Sequence, residues 1–347
     1  MEIRYEHPDE GLQKTLRALK ELGVREESRN GPVIRFQEPV MLINVDPTNR
    51  VSQASPRDAN PFFHFMEALW MLGGMNEVAP MAFYNGGIGQ YSDDGTTLRG
   101  TAYGHKWRSH FGYDQLELAV KRLRDNPQDR RVVMTMWDPR GEWRDPDSKD
   151  LSCNLQVIFG TRTVNGVTHL DMEVTNRSND IVYGCLGSNV FHFSYLLEYM
   201  AFRTGYEVGR YYQVAFNLHG YVDNPAFAKA YESANRREDD HLWEHWTKVG
   251  PPRQLLRQMG IQGFAGEIAD FVRTGRTEDD YLKAVGVPLV EAYRIFKLKS
   301  LGIVTDAEKR IEFAKEVASQ CADYSLAVAA VRWLERRKPQ RDRDTAL

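Results

Sequence analysis

The sequence predicts an α/β (α+β) protein, a mixed sheet flanked by helices with a helical C-terminal extension. Three observations carry that expectation. Residues 155–162 and 167–176 are strand-like and flank Asn165-Gly166, the strongest short hairpin signal in the chain. Through the first 250 residues, amphipathic helical stretches alternate with short apolar runs. After Pro251-Pro252 the strand signals stop, and residues 254–334 read as several charged amphipathic helices.

Taken in order, residues 10–22 read as an amphipathic helix, because Leu12, Leu16, Leu19 and Leu22 fall on one side. Residues 33–36 and 40–45 read as strands. Pro61 opens a helix carrying Phe62, Phe65, Met66, Leu69 and Trp70, which Gly73-Gly74 closes. Residues 85–100 form a loop rich in glycine and aspartate. Residues 114–124 read as a helix that stops before Pro127, and 131–137 as a buried strand. In the hairpin's second arm, Leu170, Met172 and Val174 alternate with Asp171, Glu173 and Thr175, the period of a half-buried strand. Residues 189–203 return to helix and 211–216 to strand, and the basic tail from Arg336 reads as solvated and frayed. This texture divides the chain into a catalytic unit, 1–250, and an extension, 251–347.

With 347 residues, 42% of them apolar, the chain can bury a full core. A formal charge of −3 provides no general pull toward nucleic acid or anionic membrane, so affinity for phosphate must come from local arginines. Three cysteines, Cys153, Cys185 and Cys321, are odd in number and widely spread, which argues against disulfides and for a reducing, cytoplasmic setting. No Cys/His spacing resembles a zinc site. The N-terminus lacks an apolar signal core, and no run approaches the ~18 apolar residues of a membrane span.

Chemistry concentrates around the hairpin. Cys153 stands at the mouth of the first arm, and Arg177-Ser-Asn-Asp180 ends the second, 24 residues later. A hairpin returns its ends to one edge, so Cys153 and Arg177 are expected neighbours. A cation there favours the thiolate, the reactive nucleophile. A lone cysteine at a strand start is ordinarily a small buried hydrophobe, so the rest of the chain decides.

Met66-Glu-Ala-Leu-Trp70, Tyr103-Gly-His-Lys-Trp107-Arg108, Arg130-Arg-Val-Val, Ser152-Cys-Asn, Arg177-Ser-Asn-Asp180, Gly184, Asn189 and His219-Gly-Tyr221 follow in an order and spacing that resembles the thymidylate synthase family, which includes pyrimidine-nucleotide hydroxymethylases. The likeness runs from about Asn60 to Asn224. It implies a thymidylate synthase-like mixed sheet and transfer of one carbon from 5,10-methylenetetrahydrofolate to C5 of a pyrimidine nucleoside monophosphate. Cys153 matches the family's nucleophile, which attacks C6 and makes C5 an enolate-like carbon. Arg177 and Ser178 match its phosphate ligands, and Arg130 and Arg131 the pair that reaches across a twofold homodimer. Arg29, in Ser28-Arg-Asn-Gly31, is the candidate for the N-terminal phosphate loop; guanidinium groups suit a phosphate that carries close to two charges. Adjacent Arg130-Arg131 entering a buried strand also calls for an anion nearby.

Asn189 matches the residue that reads the pyrimidine ring, where an amide can satisfy uracil O4 and N3–H together. The family's deoxycytidylate hydroxymethylases carry aspartate there, so Asn189 favours uracil over cytosine. It lies 12 residues after Arg177, one more than the family's usual spacing, with the extra residue in Gly184-Cys-Leu-Gly-Ser188. It is also placed to N-cap the following helix. His219 and Tyr221 match the ligands of the sugar 3′-hydroxyl, Asp180 the aspartate that holds the pterin, with Gly184 beside it. Glu67 is a candidate for proton transfer through water to the pyrimidine, and Tyr103 for removal of the C5 proton. Trp107 reads as core packing.

The resemblance leaves two outcomes, hydroxymethylation of the nucleotide or its methylation as in thymidylate synthase. The reducing members usually have Ile-Trp-Asp before the glycine-rich loop, whereas the corresponding stretch here is Ala82-Phe-Tyr-Asn85. They close with a short apolar C-terminus, whereas this chain continues to Asp344-Thr-Ala-Leu347. Both differences favour the hydroxymethylase.

Overall fold

The computed structural model describes residues 1–53, 57–145, 147–235, 264–298 and 306–338. Its larger sheet is six-stranded and mixed, in the order β1 (Glu2–Tyr5), β4 (Val40–Asn44), β9 (Glu207–Ala215), β7 (Val167–Asn176), β6 (Asn154–Val164), β5 (Val133–Thr135). The β1/β4 and β7/β9 pairs are parallel and the others antiparallel. A second sheet runs β2 (Val24–Ser28), β3 (Gly31–Arg35), β10 (Leu218–Tyr221), β8 (Asn179–Asp180).

The hairpin forms as its sequence predicts. Asn165 and Gly166 both take positive φ, +51° and +79°, as a two-residue turn between twisted strands demands. Pairing runs from Val164 opposite Val167 back to Asn154 opposite Asn176. The Arg177 amide then donates to the Cys153 carbonyl at 2.9 Å, so the two residues are neighbours.

Two helices carry the core behind this hairpin. In α2 (Pro61–Leu72) the Asn60 side chain caps the Phe63 amide, Pro61 starts the helix, and eleven of twelve residues are buried. Glu67 alone is not. α7 (Val190–Thr204) packs against α2 and is buried nearly all round. Trp107 is buried, 5.8 Å from the Phe193 ring, as expected of a core residue.

The C-terminal helices α9 (Phe264–Thr274), α10 (Val287–Lys297), α11 (Ala307–Ala318) and α12 (Tyr324–Glu335) extend the same core. The Phe62 ring of α2 meets Tyr293 at 5.2 Å and Trp333 at 5.6 Å, so α2 is covered on one side by α7 and on another by the extension. The break expected at Pro251-Pro252 lies outside the described residues, as does the tail beyond Lys338. The tail's first three residues are not frayed: Arg336 and Arg337 bond Asp58, and Lys338 bridges Glu312 and Glu335.

Two further expectations change. The strand sought at 131–137 shrinks to three residues and forms the sheet's edge, with Val133 half exposed, because β6 is its only strand partner among the described residues. Leu22 leaves the buried side of α1 (Pro8–Leu22) as that helix ends, while Leu12, Leu16 and Leu19 stay inside. No described helix is long and apolar enough to cross a membrane. The described residues hold no His/Cys/Asp/Glu cluster able to bind a metal ion, and all three cysteines are free.

Candidate active site

The backbone leading into β6 is fixed from several directions. The Asp150 carboxylate accepts from the amides of Arg99, Gly100 and Thr101 at 2.6, 2.9 and 2.8 Å. Buried Lys106 donates to Glu142 and to the Ser152 hydroxyl, each at 2.5 Å, and Glu142 accepts from the Ser152 amide at 2.9 Å. The Tyr103 hydroxyl oxygen accepts from the amides of Cys153 and Asn154 at 3.2 and 3.3 Å. Cys153 is thereby held half-buried at the wall of a 470 Å³ cleft, which Arg29, Arg177, Ser178, Asn217, His219 and Tyr221 also line.

The charge balance at the thiol differs from the one the sequence suggests. Burial pushes the Cys153 thiol above its ordinary value, and Arg177, the strongest influence in the other direction, does not offset it. The Arg177 side chain is turned to the backbone, donating from Nε to the Ser152 carbonyl at 2.8 Å and from Nη2 to Leu151 at 3.3 Å. The expected cation is present, but without ligand the thiol is not predisposed to ionise. Burial likewise raises Tyr103, which is a neutral phenol.

The smaller sheet supplies the opposite wall. β10 lies between β3 and β8, which sets His219 across from Arg35 on one side and Asp180 on the other. The β2–β3 turn carries Arg29 to the cleft. Burial lowers His219 and raises Asp180, so both are held toward their neutral forms. Asp180 Oδ1 accepts from the amides of Val182 and Tyr183 at 2.9 and 2.5 Å, while its buried Oδ2 has no partner.

Asn189 is buried between the two sheets' ends. Its Nδ2 donates to Asn179 Oδ1 at 3.3 Å and Asn154 Oδ1 at 3.5 Å, and Asn179 Nδ2 in turn donates to Asn176 at 3.1 Å. It makes no capping bond to α7, so the N-cap expectation is not met. The one-residue excess before it falls in a π-helical turn, Ile181–Asn189, interrupted by non-helical Leu186 and Gly187. A Cβ on Gly187 would lie 2.2 Å from the Arg57 guanidinium, and one on Gly184 2.2 Å from Asn179 Oδ1. At Gly187 the Val182 carbonyl, 2.6 Å from such a Cβ, leaves room for glycine alone, whereas at Gly184 the Asn179 side chain would have to shift.

Arg130 and Arg131 do not reach this cleft. Both are exposed, and Arg130 borders a groove on the outer face of the large sheet with Ile158 and Tyr212. Arg131 binds Asp129 at 2.8 and 3.2 Å, so the anion its position calls for comes from its own chain.

Beside the first cleft, and sharing Tyr221 with it, lies a second of 710 Å³. Phe63, Trp70, Tyr84 and Tyr91 give it aromatic walls; Glu67, Asp180 and Gly184 also line it. Glu67 Oε2, like Asp180 Oδ2, is buried without a partner. Buried Arg57 donates to the Val182 carbonyl at 2.9 Å and lies 3.3 Å from His64 Nε2. The stretch expected to stand where a shielding tryptophan would be divides. Tyr84 and Asn85 line the cleft, but Phe83 turns outward against Tyr293, and the wall continues through Ile88, Gln90 and Tyr91. Flat aromatic walls with unpaired carboxyl oxygens fit a heterocycle that carries ring N–H donors, as a pterin does.

Sequence reasoning did not single out Lys106, Glu142, Arg57, His192 or Asn217. For Lys106 a signal existed, since a lysine between apolar core positions needs a buried anion. Glu142, 36 residues away, carried none.

A mixed sheet that presents one cysteine between an arginine and a histidine, next to an aromatic second cleft, defines a class of two-ligand site. The thymidylate synthase family model matches residues 20–269, and the chain belongs to that family of one-carbon-transferring enzymes. It is 38% identical over 342 residues to the deoxyuridylate hydroxymethyltransferase of Pseudomonas phage M6, covering 97% of this chain and 94% of that protein. Against the protein of the same name from Bacillus phage SP01 it is 37% identical over 204 residues, 56% of this chain and 52% of the relative. Among solved structures, thymidylate synthase from T4 phage shares the fold, with a TM-score of 0.51 at 20% identity over 65% of this chain and 80% of that one.

Proposed function

We propose that this protein is a folate-dependent 5-hydroxymethylase of uridylate nucleotides, with deoxyuridylate (dUMP) favoured over cytidylates. The observation that carries the reading is the end-to-end likeness to the phage M6 enzyme. That likeness covers 97% of the chain, including the C-terminal helices beyond residue 269, where the thymidylate synthase match stops.

In this reading Arg177, Ser178 and Arg29 bind the nucleotide phosphate through charge-assisted hydrogen bonds. His219 and Tyr221 hold the sugar. The Asn189 amide nitrogen already serves two side-chain oxygens, which leaves its carbonyl oxygen to accept from uracil N3–H, a donor that cytosine lacks. With phosphate and base fixed, C6 is delivered to Cys153 and the sulfur bonds there, so that C5 gains carbanion character. The thiol gives up its proton as the nucleotide binds, since burial disfavours the thiolate beforehand. Tyr103, a phenol braced on the Cys153 amide, serves proton transfer at C5 as a donor and relay rather than as a phenolate. 5,10-Methylenetetrahydrofolate, held against Asp180 and Gly184 in the second cleft, supplies the one-carbon unit. Water completes the reaction beside Glu67, where the stretch Ala82-Phe-Tyr-Asn85 brings Tyr84 and Asn85, rather than a tryptophan, to the cleft.

The working unit is a twofold homodimer across the outer face of the large sheet. Partly buried Met41, Ile158 and Tyr212 line a groove there, and Arg130 beside it is placed, with Arg131, to serve a second copy's phosphate.

Incubating dUMP with methylenetetrahydrofolate and the full chain tests the reading. The nucleotide should gain the mass of a CH2O unit, with the folate recovered as tetrahydrofolate. A gain of CH2 with formation of dihydrofolate would overturn it.

A further inference from the structure

His192 is a buried polar group, among the described residues, that the functional reading leaves unused. It sits on α7, 2% exposed, and both of its ring nitrogens are inaccessible and unpaired. A buried imidazole with neither nitrogen satisfied forgoes the hydrogen bonds both would make to water, so its place here asks for a reason. Its nearest charged neighbour is Glu67, whose inaccessible Oε2 is also unpaired and lies 3.7 Å from His192 Nδ1. That distance exceeds a hydrogen bond by less than about 1 Å, within reach of a side-chain adjustment.

The surroundings leave few other roles. His192 is not among the residues that line either cleft. Its ring packs edge-on to Phe193 at 4.5 Å and lies 6.2 Å from Tyr103. Glu67 does line the second cleft, and its side chain is 13% exposed. One carboxylate thus spans the boundary between the cleft and an imidazole buried behind it.

We propose that His192 is a positioning residue: its Nδ1–H holds Glu67 Oε2, so that the other carboxylate oxygen faces the cleft and takes the proton of the water that ends the reaction. The proposal rests on the hydroxymethylase reading. The water oxygen bonds to the exocyclic methylene carbon attached to C5. The methylene π pair shifts into the ring toward O4, and one water proton passes to Glu67. The ring pair then expels the Cys153 sulfur from C6 and restores the C5=C6 bond. Nothing is oxidised or reduced.

Glu67→Gln, His192→Phe and the double variant, with His192→Gln as the conservative control, test this in the full-length protein. His192→Phe removes two unsatisfied polar atoms, so its melting temperature should be unchanged or higher, and nucleotide binding should stay within about threefold. Its kcat should fall about tenfold or more, without exceeding the ~10²–10⁴-fold loss expected for Glu67→Gln. His192→Gln, which keeps a donor, should recover part of the loss, and the double variant should be no slower than Glu67→Gln alone. Nitrogen NMR of histidine-labelled protein offers a readout apart from turnover, since Glu67→Gln should move the His192 ring signals. Full kcat in His192→Phe, additive losses in the double variant, or unmoved ring signals would each overturn the proposal. A wild-type enzyme that methylates the nucleotide would instead overturn the reading beneath it.

Discussion

The two clefts differ in which of their buried polar groups are satisfied: backbone amides in the first, carboxyl oxygens left open in the second. Around Cys153 the main-chain donors are answered: Asp150 takes three amides, Tyr103 takes two, and Lys106, Glu142 and Ser152 close a buried network. Around Glu67 and Asp180, buried carboxyl oxygens and both nitrogens of His192 are left open. The first cleft is preorganised, with the Cys153 backbone fixed by the Tyr103 hydroxyl. Beside the second cleft the carboxyl oxygens stay open, and the His192 nitrogens lie behind its wall, outside the lining of either cleft.

The contrast can be broken most forcefully at the sulfur. Cys153→Ser should lower turnover by more than about 10⁴-fold, while nucleotide affinity, measured by calorimetric titration, changes by less than about threefold. Loss of binding in an intact fold would place the sulfur in recognition rather than chemistry. Next in size is the network beneath it. Lys106→Met leaves Glu142 buried and unpaired, and chemical denaturation should show a loss of about 3–5 kcal/mol.

Base selection is expected to respond less. Asn189→Asp should shift the ratio of kcat/KM from dUMP toward dCMP by about tenfold to a hundredfold, the worth of one or two hydrogen bonds to a buried edge. An unchanged ratio would mean that Asn189 does not read the ring. The thiol offers a test by pH. Because burial raises Cys153, its alkylation by iodoacetamide in the free enzyme should rise with pH through a midpoint above that of an ordinary cysteine. Arg177→Met, which removes the main opposing influence, should move that midpoint higher still. Smallest of all is the contact of the tail with the second cleft's rim. Asp58→Asn weakens the pairs to Arg336 and Arg337 on a half-exposed side chain, and should cost less than about 1 kcal/mol in thermal unfolding.

The same contrast marks what was legible in the sequence. The hairpin, its turn and the juxtaposition of Cys153 with Arg177 follow from Asn165-Gly166 and a period-two pattern, signals local to twenty-odd residues. Motif order places Arg177, Ser178, His219 and Tyr221, the loop Ser28-Arg-Asn-Gly31 offers Arg29 as a candidate, and the structure gathers all five on one cleft. Strands β1, β2 and β10 escaped notice because each is defined by its sheet partners rather than by an apolar pattern of its own, such as the run that marks the equally short β4. The pairing of Lys106 with Glu142, and the approach of His192 to Glu67 at 3.7 Å, join residues far apart in the chain, which no periodicity encodes. Nor did spacing reveal that a π-helical turn absorbs the extra residue before Asn189, or that burial outweighs Arg177 at the thiol.

One measurement bears most directly on the central claim, that Cys153 activates a uracil ring whose new one-carbon group is finished by water. Turnover of dUMP in heavy-oxygen water, followed by mass spectrometry of the nucleotide, should show one solvent oxygen in the product and none in the Cys153→Ser reaction. A product that carries no solvent oxygen, formed as the folate is oxidised, would contradict it.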